Sequence, residues 1–409
     1  MSEKAMNGAS SRPPASAGLR QWLKKNLFST WYDLLLTILA ILFLYVVIRG
    51  IVTWVFTVAD WSPIINSLKL FAVGLYPVEE IWRIGTILAI VSLLAGFSWG
   101  VWGGIVRTFA VAMGAGFILI ASLPFDLYPS NADPLDLMLR LGFLLLPALI
   151  LIGLLLGRKL RLPGRWILIL WLLSFLLAMV LLTGIQGSAA LPKVETTLWG
   201  GLLLTFLLAI VGIVASFPIG VLLALGRQSS LPVVKLFCTL FIEVVRGVPL
   251  VTILFMASII LPLFLPEQIR IDRVLRAMLG MTLFAAAYMA ENVRGGLQAI
   301  PAGQYEAAKA VGFNNVQTTV YIVLPQALRA VIPAIVGQFI ALFMDTTLAI
   351  IVGLMELLAV GKAVLQSNQE WLLLDKEVYL FVAVLFWVFT YSMSYASRRL
   401  EVALGVGER

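Results

Sequence analysis

The chain has 409 residues, 61% of them hydrophobic and only 12% charged, with a formal net charge of +8 and a mean hydropathy of +1.01. Soluble proteins average about 25% charged residues, so this composition describes a polytopic membrane protein, and its positive charge speaks to helix orientation rather than nucleic-acid binding. With no histidine and a single cysteine, Cys238, an intrachain disulfide is excluded, and zinc or Cys/His catalysis lacks its ligands.

Residues 1–31 are expected to be a cytoplasmic tail. The first twenty are polar, contain Pro13 and Pro14, and lack the apolar core of a cleavable signal. A membrane helix needs about 20 apolar residues. On that basis ten spans are expected: 32–56, 82–104, 108–123, 140–156, 166–184, 197–225, 234–264, 276–293, 330–357 and 377–397. The third and fourth are short. The seventh is long and carries Gly247-Val248-Pro249, which predicts a broken or kinked helix.

Lysine and arginine set the orientation. The tail carries Lys4, Arg12, Arg20, Lys24 and Lys25, and the loop after the fourth span carries Arg158, Lys159, Arg161 and Arg165. Both are expected inside. The loop 124–138 has Asp126, Asp133 and Asp136 without a basic residue and is expected outside. Arg270, Arg273 and Arg276 are misfits, because the same count puts them outside. A division is expected near residue 195, with residues 32–194 a tryptophan-bearing transmembrane extension that scaffolds the later half.

The stretch 300–329 is the longest in the second half that is not continuously apolar. Pro301 suits the first turn of a helix, Glu306, Ala307, Ala308 and Ala310 sustain it, and Gly312 suits its exit. Asn314 and Asn315 continue the turn, and a second short helix is expected to be interrupted at Pro325. Ala307, Ala308 and Val311 form a small apolar stripe beside Tyr305, of the kind that seats in a partner's groove.

Glu306-Ala307-Ala308, Gly312, Ile322, Leu324 and Pro325 together resemble, in identity and spacing, the EAA signature of ABC import permeases. The blocks Phe241–Leu250 and Tyr288–Gly296 are similar to those of permeases for polar amino acids, the histidine/glutamate/glutamine/arginine group. This resemblance, over about 195–400, implies an all-α membrane helix bundle: a type I importer core of about five helices, preceded here by the extension and followed by a tail, 401–409. It implies that helix 301–312 docks into a separate ATPase subunit, with Glu306, Ala307, Ala308, Gly312, Leu324 and Pro325 carrying the coupling. It further implies a second permease chain, homologous or identical, a periplasmic amino-acid-binding protein, and a bacterial inner-membrane location. No cofactor is expected in this chain, since ATP is used by the partner.

Charges within apolar spans carry the remaining signal, because each costs roughly 2.5–3.5 kcal/mol at a helix centre on insertion scales. Glu243 and Arg246 sit three apart, as do Glu291 and Arg294, so each pair can neutralise itself locally or form part of a gate above the coupling helix. Gly295-Gly296 is expected to end the eighth span. Asp345 stands in Phe343-Met344-Asp345-Thr346-Thr347 with no basic residue within a turn. It is the candidate for the translocation path, with Thr346 and Thr347 either adding hydroxyls or bonding back to the backbone. In related permeases a lysine commonly precedes this aspartate; here Met344 does. No P-loop is present, so energy must come from another chain. The alternative class is a self-contained secondary transporter or channel, for which Asp345 is the one evident ion site. A membrane enzyme lacks the usual acid–base groups.

Overall fold

The computed structural model describes residues 27, 30–124, 133–160, 162–266, 268–403 and 405. Most of the expected tail, Asp126 of the expected outward loop, and residues 406–409 lie outside these described residues. The described residues are helical apart from turns and two isolated backbone bridges. They form two compact units divided after Asp60. The first unit contains helix α1, Trp31–Thr53, capped by the Thr30 side chain and continued as a π turn, Trp54–Val58. None of the side chains of Trp31–Val58 is buried within the chain.

The second unit begins with two short helices, α2 (Ser62–Ile65) and α3 (Leu68–Val73). Four long helices follow: α4 (Ile81–Trp102), α5 (Gly104–Ala121), α6 (Asp133–Leu160) and α7 (Gly164–Thr183). Next come α8 (Gly201–Arg227), α9 (Pro232–Gly247), α10 (Leu250–Phe255), a π turn and α11 (Leu261–Phe264). The remainder comprises α12 (Arg273–Gln298), α13 (Ala302–Ala310), α14 (Asn315–Gln317), α15 (Leu324–Asp345), α16 (Leu357–Ser367) and α17 (Asp375–Ala403).

Among the described residues nine helices are long and apolar enough to cross a membrane, or ten if the bent pair α9 and α10–α11 is one span. That pair turns by 109° at the break, far more than a kink. Val248 is extended at the end of α9, and Pro249 precedes α10. Two span expectations shift. The ninth runs Asn315–Val352 rather than 330–357. The eighth continues through Gly295-Gly296 to Gln298, because a glycine inside a helix is tolerated where another backbone must pass close. A Cβ on Gly296 would lie 2.5 Å from the carbonyl oxygen of Ala327 on α15.

The helices α4–α7 form an excursion whose ends meet. Gly74 pairs with Trp199 through the backbone, and a Cβ on Gly74 (φ +66°) would lie 2.5 Å from the Cα of Gly200. Before the excursion, Ile64 and Phe71 pack with Leu357, Val360, Val378 and Val382 of the last helices, and the Phe71 and Phe381 rings meet edge-on at 5.1 Å. The second-half core therefore includes residues from within the expected extension, 32–194. Arg83, with no solvent exposure, secures the return: it pairs with Glu80 at 2.7 Å and donates to the carbonyl oxygens of Leu181 and Pro192. Tyr76 donates to that of Leu182. The Leu181 and Leu182 carbonyls belong to the last turn of α7, where helix geometry leaves acceptors unpaired, and that of Pro192 belongs to the chain that follows.

Inside the excursion, α4 and α6 touch along glycines. Gly96 and Gly100 face Gly153 and Gly157; a Cβ on Gly96 would lie 1.9 Å from Ile150 O, and one on Gly153 2.1 Å from Leu93 O. Both helices carry the G-x-x-x-G spacing that lets backbones approach where lipid removes the hydrophobic drive to associate.

Candidate functional site

Three groups of sequence-selected residues occupy distinct places. The first is the stretch around α13. Pro301 precedes the helix as its N-terminal cap residue, with Ala302 opening it. At the other end Gly312 N–H donates to Lys309 O and Phe313 N–H to Ala308 O, with Gly312 at φ +90°. That is the Schellman arrangement, which satisfies the last carbonyls and requires a residue tolerant of positive φ. The expected apolar stripe divides. Ala308 is buried within the chain and Tyr305 packs against the cluster around Val293, Leu297 and Val323, whereas Glu306, Ala307, Ala310 and Val311 remain exposed. Gln326 donates to Gln304, tying α13 to the first turn of α15, a link that sequence reasoning missed.

Asn314 and Gln317 cap α14 reciprocally. Pro325 does not interrupt the helix after it. The chain widens to a π turn, Thr318–Val323, and Pro325 falls in the first turn of α15, where a missing N–H costs little. Leu324 packs into the same cluster as Tyr305, while Pro325 is exposed.

The second group is ionic. Glu291 and Arg294 pair as their spacing suggests, with Arg294 Nε at 2.9 Å. Glu243 and Arg246 do not pair with each other. Glu243 meets Arg227 at the end of α8 at 2.8 Å, and Arg246 reaches Glu291 at 3.5 Å. Arg227 also lies 3.5 Å from Glu291. Arg246 further stands over the Tyr288 ring, 5.4 Å from its centre. The cluster thus ties α8, α9 and α12 together. Arg227 joins it although its sequence context gave no sign, since it sits in a run of charged and polar residues at a helix end.

The third group surrounds Asp345, the last residue of α15. A 3-10 segment, Thr346–Val352, follows at once, so the helix breaks at the carboxylate. Asp345 is half-buried and makes no ion pair with a described residue. Thr346 and Thr347 donate to the backbone three residues earlier, at Phe343 and Met344. Beyond the break, fully buried Glu356 caps α16 by accepting from Leu358 and Ala359, while Thr205 of α8 accepts from Leu357. Two of the three arginines that the charge count leaves as misfits also find partners. Arg276 donates to Ser258 O, a carbonyl in the π turn after α10, and Arg273 stands against the left-handed turn at Gly353. Among the described residues no cluster could hold a metal ion.

Residues 216–404 match the family described as the binding-protein-dependent transport system inner membrane component. The chain is 37% identical to the inner membrane amino-acid ABC transporter permease protein YhdY of Escherichia coli, across 94% of this chain and 93% of that one. It is 35% identical to the glutamate/glutamine/aspartate/asparagine transport system permease protein BztC of Rhodobacter capsulatus, across 95% and 94%. A shorter relative, the probable glutamine ABC transporter permease protein GlnP of Bacillus subtilis, is 35% identical across 50% of this chain and 92% of its own. Among solved structures, an amino acid ABC transporter with histidines is 26% identical over 50% of this chain and 92% of its own, with a TM-score of 0.45. The chain belongs to the amino-acid ABC transporter permeases. It is a multi-pass membrane protein and a transport component rather than an enzyme.

Proposed function

We propose that the chain is the permease subunit of an ATP-driven importer of L-amino acids in a bacterial inner membrane. ATP is hydrolysed by a separate subunit that receives α13. A second permease chain completes the pathway, and a periplasmic binding protein delivers the amino acid. The observation that carries this reading is the exposed, Schellman-stopped helix α13, held to α15 by Gln304 and Gln326 and offering Glu306, Ala307, Ala310 and Val311 outward. The ionic cluster of Arg227, Glu243, Arg246, Glu291 and Arg294 stands as the gate, since its pairs cross three helices and must rearrange if those helices separate. Asp345 faces the path and holds the substrate's α-ammonium group, with Thr346 and Thr347 shaping the break beside it.

Gly312→Val tests the coupling. A β-branched residue is strongly disfavoured at φ +90°, while a Cβ there meets nothing within 4 Å, so the strain is confined to the helix exit. The variant is expected to insert and accumulate normally, yet to lose amino-acid uptake and co-purification with the ATPase. Normal uptake by well-expressed Gly312→Val would refute the assignment.

A further inference from the structure

We propose that the α4–α7 excursion binds the phosphate headgroup of an anionic phospholipid in the cytoplasmic leaflet. The two glycine seams that bring α4 and α6 together end at Gly100 and Gly157. At these ends a groove of about 570 Å³ opens, lined by Gly100, Val101, Gly157, Arg158 and Leu162. The α4–α5 and α6–α7 turns adjoin here: a Cβ on Gly164 would lie 2.9 Å from Trp102 Nε1.

The charge around this groove has one sign. Arg107, Arg158, Lys159 and Arg165 stand at these two turns, all exposed. None of them forms an ion pair with a described residue. The excursion's own carboxylates, Asp126, Asp133 and Asp136, fall in or just before the first turn of α6, the opposite end of that helix from Arg158, and 81–125 and 137–194 contain neither aspartate nor glutamate. Unneutralised cations beside a groove call for an anion. The surroundings specify its carrier: Trp102, Leu160 and Trp166 on the same helix ends are 45%, 55% and 49% exposed, which suits acyl chains and the interfacial belt rather than a water-borne ion. Basic pockets between transmembrane helices on the cytoplasmic side bind lipid headgroups in this manner.

The test uses the full chain in its complex, reconstituted into phosphatidylcholine vesicles with or without phosphatidylglycerol. Retained lipid is read by native mass spectrometry and stability by the thermal midpoint. Phosphatidylglycerol is expected to be retained and to raise the midpoint. Arg158→Gln is expected to weaken retention about fivefold, the factor for one basic residue at a membrane surface. Arg158→Lys should keep most of it, and Arg398→Gln, which removes the same charge from the end of α17, should leave it unchanged. If Arg158→Gln does not fold, Lys159→Gln and Arg165→Gln give the same comparison. Equal retention by the variants at this groove, or an equal loss in Arg398→Gln, would overturn the proposal. So would inorganic phosphate reproducing the stabilisation in phosphatidylcholine alone, which would mark a free-phosphate site.

Discussion

Asp345 is the carboxylate on which the proposed substrate contact rests. It sits where α15 gives way to a 3-10 segment, and a helix break inside a span is where transporters expose backbone and ligand groups to a path. Arg246, at the end of α9, is engaged by Glu291. Asp345→Asn keeps the shape and removes the charge. Uptake is expected to fall about tenfold, the consequence of a contact weakened by ~1.4 kcal/mol, with the amount and thermal stability of the complex unchanged. Unchanged transport kinetics would sink the substrate-contact reading, and a loss of stability instead would mark a structural role. Glu356 behaves differently. It lies between the spans Asn315–Val352 and Asp375–Ala403, and burial pushes its carboxyl up to about 7 against the opposing pull of the Leu358 and Ala359 amides and Lys362. The folded state therefore binds this proton more tightly than the unfolded chain. Its contribution is full below about pH 4.5 and is lost as pH rises through about 7. The swing is on the order of 3 kcal/mol. Glu356→Gln retains an acceptor for the helix cap but does not titrate. Its thermal midpoint should fall less than the wild type's between pH 5 and 8; identical slopes would exclude Glu356 as the source.

At the scale of elements, helix ends and irregular turns do the positioning. The Schellman stop projects α13 and returns the chain within two residues, and the π turn before Pro325 lets α15 start without a break. The turn after α10 is likewise π, and its carbonyl at Ser258 is taken by Arg276, which gives that arginine a structural partner whatever its count in the charge balance. The α4–α6 pair depends on missing side chains. Gly153→Leu would put a Cβ 2.1 Å from Leu93 O and force the helices apart. A loss of about 1–3 kcal/mol is expected, the usual range for overpacking, measured as thermal unfolding of the solubilised protein. Gly116→Leu on α5 is the control, since nothing lies within 4 Å of its Cβ position. Equal stability of the two variants would mean that the seam does not hold the pair. The seam was legible in principle, because Gly96, Gly100, Gly153 and Gly157 show the spacing in the sequence. What sequence could not show is that the two seams face each other.

On the scale of the whole molecule, the excursion changes how the chain is divided. Residues Ser62–Val73 pack with α8, α16 and α17, then the chain leaves for four helices and returns at Trp199 beside Gly74. Half-length relatives such as GlnP fit this plan, since they match about half of this chain, whereas YhdY and BztC match nearly all of it. The sequence by itself determined the membrane class, nearly every span, the breaks at Gly312 and Gly247-Val248-Pro249, and the EAA helix. These are local signals: apolar runs of fixed length, and residues whose backbone freedom or missing N–H serves one purpose at one position. Only the tertiary structure decided which charges meet. The spacing of Glu243 and Arg246 allows a local pair, but a carboxylate three residues from one guanidinium is also free to choose another 16 residues away on a neighbouring helix, as Glu243 does with Arg227. Only the tertiary structure, too, set Arg83 against Leu181 and Pro192, brought Glu356 beside Gly201 and joined Gly74 to Trp199, because these partners are remote in sequence and become neighbours only once helices pack.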